Sequence, residues 1–120
     1  MLNVSSTPAI GELQAFKARF FKALAHPIRI RLIELLVERD RTVQELQAAL
    51  GADQSLVSQH LAVLRTNHVV TTQKQGTTVR YALRDPLVGE LLAVARRIFT
   101  GQLTGTQDML RELHREQRRR

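Results

Sequence analysis

Hydrophobic positions along this chain follow a helical period, switch once to a period of two, and then return to the helical one. Between Ile10 and Ala25, Leu13, Phe16, Phe20, Phe21 and Leu24 recur at spacings that place them on one face of a helix. Pro27 suits the first turn of a second helix, and His26 before it suits a cap. Ile30, Ile33, Leu36 and Val37 mark the buried stripe of that helix, broadened by Leu32 and Leu35, and Asp40 and Arg41 end it. Thr42 and Glu45 have the T-x-x-E spacing of a capping box, so a third helix starts there and includes Leu46, Ala49 and Leu50. Gly51 stops it, and Asp53 stands where it would cap a fourth. In that fourth helix Val57, Leu61 and Leu64 lie at i, i+4 and i+7 and should face the core. Gln54, Ser55, Ser58 and Gln59 then face outward, with Ala62 and Arg65 further along.

After Asn67 and His68 the alternation is that of strands. Val69 to Gln73 and Thr77 to Leu83 read as a two-stranded hairpin around Gly76, with Val79, Tyr81 and Leu83 on one face and Thr78, Arg80 and Ala82 on the other. Asp85 and Pro86 form a cap and first-turn pair for a fifth helix, apolar over a broad surface from Leu87 to Phe99. Gly101 and Gly105 should loosen the chain, and Thr106 to Arg120 can form a short last helix ending in a run of arginines. The expected organisation is a loose arm over residues 1–9, one mainly α domain with a β-hairpin over residues 10–100, and a C-terminal helix with a basic tail over residues 101–120.

Charge gives this architecture a partner. The formal net charge is +7, which favours phosphate backbones or acidic lipid surfaces. No Asp or Glu occurs between Gln54 and Arg84, while Arg65, Lys74, Arg80 and Arg84 do. A short polar helix followed by a basic hairpin is a device for gripping double-stranded DNA. The absence of cysteine excludes disulfides and thiolate metal ligands within this chain. No apolar run is long enough for a membrane span and the start does not read as a secretory signal, so no membrane partner is expected and the setting is cytoplasmic.

Glutamine can donate to and accept from adenine, and serine reaches phosphates or several base edges, so Gln54, Ser55, Ser58 and Gln59 are the candidate base readers. Arg65 and the hairpin residues Lys74, Gln75, Thr77, Thr78 and Arg80 are candidate contacts to phosphates or a neighbouring minor groove. Thr42 and Gln44 open the preceding helix, whose backbone amides suit a phosphate. His60 either joins the backbone contacts or sits half buried as a structural residue. Ser58 and His60 are not placed for hydrolytic chemistry, because side chains two apart on a helix diverge, and there is no glycine-rich phosphate loop. No enzymatic activity is expected.

The text FKALAHPIRIRLIELL at Phe21 to Leu36, TVQELQAALGADQSLVSQHLAVLR at Thr42 to Arg65 and VVTTQKQGTTVRYAL at Val69 to Leu83 resembles the ArsR/SmtB family of small bacterial winged-helix repressors. The segment SLVSQHLAVLR, Ser55 to Arg65, is the most specific part, and the resemblance covers roughly residues 16 to 99. It implies a winged helix-turn-helix homodimer paired through the first and fifth helices, with two recognition helices in successive major grooves of an imperfect palindrome. It also implies repression released by an effector. The residues that would pair are Leu13, Phe16 and Phe20 with Leu87, Leu91, Leu92, Ala95, Ile98 and Phe99, in the two elements with the largest apolar excess. Family metal sites use cysteines before the recognition helix, absent here, or Asp and His in the fifth helix. Asp85 fits the first of those positions, but no histidine lies between Val69 and Leu113. No cofactor is expected, and a metal could enter only at a non-standard site using His114 or at one shared with a partner. A separate sensor or corepressor protein is the other partner to consider. A competing reading keeps the frame but uses its broad helices to dock such a protein without DNA. The acid-free recognition face argues against it.

Overall fold

The structure, a computed structural model, describes residues 9–103 and 107–119. The expected arm therefore lies outside the described residues except for Ala9, as does Gly105. The chain forms two compact units that meet in sequence at Arg84 and Asp85.

The first unit runs α1 (Glu12–Leu24), α2 (Pro27–Glu38), β1 (Arg41–Thr42), α3 (Val43–Leu50), α4 (Gln54–Thr66), β2 (Val70–Gln75) and β3 (Thr78–Leu83). Its core is made by Leu32, Ile33, Leu35 and Leu36 of α2, Leu46 of α3, Val57, Leu61 and Leu64 of α4, and Val69 and Val70 at the root of the hairpin. Each such side chain contributes about 1.5–3 kcal/mol by leaving water. The stripe on α4 falls where its spacing placed it. On α2 the buried face is centred on Leu32, Leu35 and Leu36, which leaves Ile30 and Val37, one above the other at i and i+7, exposed at its flank and not in the core as the spacing suggested.

Local chemistry fixes the helix ends. His26 Nδ1 accepts from the Ile28 amide at 3.1 Å and starts α2. Thr42 and Glu45 close the capping box of α3 in both directions, at 3.1 and 2.8 Å. Gly51 ends α3 in the left-handed region at φ +67°, where a side chain would be strained. Asp53 does occupy the cap position of α4, but its side chain makes no capping hydrogen bond.

The hairpin expected from the alternation is in fact part of a three-stranded antiparallel sheet in the order β1-β3-β2. Arg41 and Thr42, read from sequence as the end of α2 and the start of α3, pair with Tyr81 and Arg80. Two residues are too few to show a period. What turns the chain back along β3 is Arg41, whose Nε donates to the Leu35 carbonyl at 3.0 Å and whose guanidinium reaches Glu38 at 2.6 Å. Because β3 is the middle strand, Val79 to Leu83 are all half-buried and the expected alternation along it is muted. Gln75 pairs with Thr78 across a two-residue loop that opens on Gly76 at φ +65°.

The second unit contains α5 (Leu87–Gln102) and α6 (Gln107–Arg119). The Asp85 carboxylate accepts from the Leu87 amide at 2.9 Å, the cap its position promised. Gly101 does not loosen the chain as expected. It lies in the last turn of α5, next to Thr100, whose hydroxyl donates to the Arg96 carbonyl at 2.9 Å. Arg96 also binds Glu116 at 3.3 Å, and Leu113 of α6 is buried. None of the helices described is long and apolar enough to cross a membrane.

Candidate nucleic-acid interface

The helices α3 and α4, joined by a short turn at Gly51, form a helix-turn-helix, and β2 and β3 form the wing that follows it. With Val57, Leu61 and Leu64 fully buried, the opposite surface of α4 is exposed throughout: Gln54, Ser55, Ser58, Gln59, Ala62, Arg65 and Thr66. The 3.6-residue period sorts them into two adjoining rows. Ser55, Gln59, Ala62 and Thr66 run along the outermost line, and Gln54, Ser58 and Arg65 lie beside it. Thr66 was not among the residues singled out from sequence, although its spacing of i+7 from Gln59 would have found it. Leu56, 38% exposed, borders the same surface.

His60 is half-buried, not part of this outward row. Its Nδ1 lies 3.1 Å from a terminal nitrogen of Arg29, and its ring stacks on that of His26 with centroids 4.2 Å apart. Burial, and then the neighbouring His26 and Arg29, lower its pKa from the ordinary 6.5.

The helix ends in a Schellman turn. The Val69 amide reaches the Leu64 carbonyl at 2.9 Å and the His68 amide reaches that of Arg65 at 3.0 Å. The left-handed position of this turn, φ +61°, belongs to His68. Asn67, the residue better suited to that geometry on chemical grounds, has φ −96° and instead donates from its side chain to the Val63 carbonyl.

On the wing, Lys74, Gln75, Thr77 and Thr78 are exposed around the Gly76 turn. Arg80 is only half-exposed. Its guanidinium lies 3.9 Å from Glu45 and donates to the Asp40 carbonyl at 3.5 Å. Glu45 also has Arg39 at 3.6 Å. Its pKa is lowered, chiefly by the hydrogen bond from the Thr42 amide and further by Arg39 and Arg80, with burial opposing. The amides at the start of α3 are therefore not all open to a phosphate. That of Thr42 is bound to the Glu45 carboxylate, that of Glu45 to the Thr42 hydroxyl, and a phosphate beside Gln44 would face an acid.

Each unit also leaves apolar side chains uncovered. On α1, Leu13 and Phe16 are exposed and Phe20 is half-buried. On α5, Leu87, Ile98 and Phe99 are exposed, and Leu91, Leu92 and Ala95 are half-buried. Among the described residues no three His, Asp or Glu side chains converge as a metal site. Glu116 is paired with Arg96, and His114 is exposed.

A helix-turn-helix with an acid-free outer face and a following wing defines a DNA-binding regulator of transcription. Comparison with known proteins agrees. The description of bacterial regulatory proteins of the arsR family matches residues 26–72. The HTH-type transcriptional regulator Rv0081 of Mycobacterium tuberculosis is 46% identical over 102 residues, 84% of this chain and 90% of that one. Its crystal structure superposes with a TM-score of 0.73 at 47% identity, covering 79% and 96% of the two chains. The transcriptional activator HlyU of Vibrio cholerae is 35% identical over 78 residues, 65% of this chain and 72% of its own. A homodimeric winged helix-turn-helix DNA-binding domain from Mycobacterium bovis, described as possibly of the ArsR family, superposes at 0.71 with 25% identity over 81% and 94%. The chain belongs to the ArsR family of winged-helix transcriptional regulators, a family of DNA-binding proteins and not of enzymes.

Proposed function

We propose that this protein is a repressor that binds an imperfect palindrome as a homodimer, paired through α1 and α5. Each α4 lies in a major groove, with Gln54, Ser55, Ser58 and Gln59 at base edges. Arg65 and the wing residues Lys74, Gln75, Thr77, Thr78 and Arg80 hold the backbone, and Lys74 reaches furthest. Thr42 and Gln44 approach a phosphate at the start of α3, weakened there by Glu45. A protein with this task works where the DNA is, in the cytoplasm.

The observation that carries the reading is the continuous exposed surface from Gln54 to Thr66, without an acid and backed by a fully buried stripe. Such a helix can enter a groove without opposing the phosphates on either side. The uncovered apolar side chains of α1 and α5 support pairing with a second copy. The M. bovis relative is described as homodimeric, which fits. One relative is named an activator, and a bound dimer can also act that way where its site does not cover the promoter. Blocking the promoter is the simpler act for a chain this small.

The test is binding to duplex from upstream of the protein's own gene against random duplex at fixed near-physiological salt. A preference of about a thousandfold or more establishes the sequence-specific regulator. Equal, tight binding to both duplexes would replace it with an architectural role.

A further inference from the structure

Arg29 touches three elements at once. Its Nε donates to the Ala23 carbonyl at 2.6 Å and one terminal nitrogen to the Lys22 carbonyl at 3.4 Å, so it closes the open end of α1. The other terminal nitrogen reaches His60 Nδ1 at 3.1 Å, midway along α4. The His60 ring rests on His26, with planes inclined at 39°, and His26 in turn caps α2. Arginine only donates. His60 Nδ1 must therefore accept, and its ring proton must sit on Nε2. A protonated His60 would set a second donor and a second cation against the guanidinium.

We propose that Arg29, His60 and His26 are positioning residues for DNA reading: they hold α4 at a fixed pitch against the end of α1 and the start of α2, and they do so only while His60 is neutral. This rests on α4 being the helix that reads the groove. Base-reading side chains must be held to within about half an ångström to work. The strut meets α4 next to Gln59, in its outermost row.

The charges around the ring support neutrality. From α2 it faces His26 and Arg29, both of which disfavour its proton. Lys22 ends α1, the helix that Arg29 binds. The acid of α3, Glu45, is held by Thr42, Arg39 and Arg80. Lys74 of β2 is out on the wing, paired with Val79. On α4 itself, Asp53 and Arg65 stand at its two ends. With the His60 pKa lowered from 6.5, the strut is intact above that value and is lost as pH falls through the lower one. The sign is diagnostic. Added positive charge ordinarily tightens DNA binding, so weaker reading in acid runs against the general trend.

The experiment measures the operator-to-random preference of the full chain at fixed salt from about pH 7 to about pH 5. It compares wild type, Arg29→Ala and His60→Asn, with circular dichroism to confirm folding. Asparagine keeps an acceptor near the Nδ1 position and does not titrate. NMR of the His60 ring nitrogens reads the tautomer directly. Wild type should lose about tenfold of its preference in acid. His60→Asn should keep most of its preference with a flat profile. Arg29→Ala should lose preference already at neutral pH, and its His60 should take up a proton more readily. A wild-type preference that is constant or rises in acid would overturn the inference, as would an acid decline that persists in His60→Asn. If Arg29→Ala does not fold, the His60→Asn comparison decides alone. No preference at neutral pH would instead remove the DNA-reading assignment itself and this inference with it, whereas a preference without acid decline removes only the strut.

Discussion

Glu45 serves the fold at some cost to the site. It completes the capping box of α3 and gathers Arg39 and Arg80, the second of them a proposed backbone contact. Its lowered pKa gives the sign of its contribution: present above the ordinary 4.5 and lost as pH falls through the folded value. Glu45→Gln should melt at a lower temperature than wild type at neutral pH, with the two curves converging in acid. The same variant should bind random DNA at least as well, because Arg80 is released. On α4 and the wing the proposed roles divide by chemistry. Gln59→Ala should cost about 1–3 kcal/mol on the operator and little on random duplex. Lys74→Ala should weaken both and flatten the salt slope by about one. Equal losses on both duplexes for Gln59→Ala would remove it from the base readers.

At the scale of elements, how much the sequence revealed depended on length and repetition. The stripe Val57, Leu61, Leu64 and the outward Ser55 and Gln59 are the two sides of one period, so both the buried and the exposed face of α4 were legible. The capping box and Gly51 carry their geometry in their residue types. Other features lacked any such sign. β1 is two residues held in place by Arg41, and the Arg29–His60 bond joins positions distant in sequence. At the end of α4 the left-handed position falls on His68 and not on Asn67, although asparagine tolerates that geometry better than most residues. The Schellman turn counts backward from buried Leu64 and Val69, and it is burial of that pair that settles which residue lies between them. His68 therefore pays for a conformation that glycine adopts freely. His68→Gly should stabilise the protein by up to about 1 kcal/mol, read as a higher denaturant midpoint with an unchanged slope. A loss of stability would mean that the imidazole makes a contact worth more than the strain.

For the whole molecule the governing fact is apolar surface left in water. Ile98 is 54% exposed and Leu13 59%, on helices whose other residues are well able to be polar. A chain of this size has a high surface fraction, and a second copy is an economical cover. Under twofold symmetry each substitution is counted twice. Ile98→Glu should therefore weaken pairing roughly a hundredfold or more, seen as a shift to the single-chain mass in sedimentation. Palindrome binding should fall with it, leaving the salt-sensitive binding to random duplex. An unchanged mass would take Ile98 out of the interface. The net charge of +7 sets a further tension, since like charge opposes pairing while it attracts DNA.

The two-residue strand β1 makes the wing a cantilever. At its root, Tyr81 and Arg80 are clamped from both sides, by Arg41 and Thr42 on one edge and by β2 on the other. Beyond them, Val79 and Thr78 have only Lys74 and Gln75 for company. A beam fixed at one end bends most at its tip, so backbone amides from Lys74 to Thr78 should exchange with solvent well before those of Tyr81 and Arg80. The molecule thereby separates stiffness from compliance. With α4 in a groove as proposed, that helix would hold its register, while the tip of the wing could follow phosphates whose spacing changes from one operator to the next.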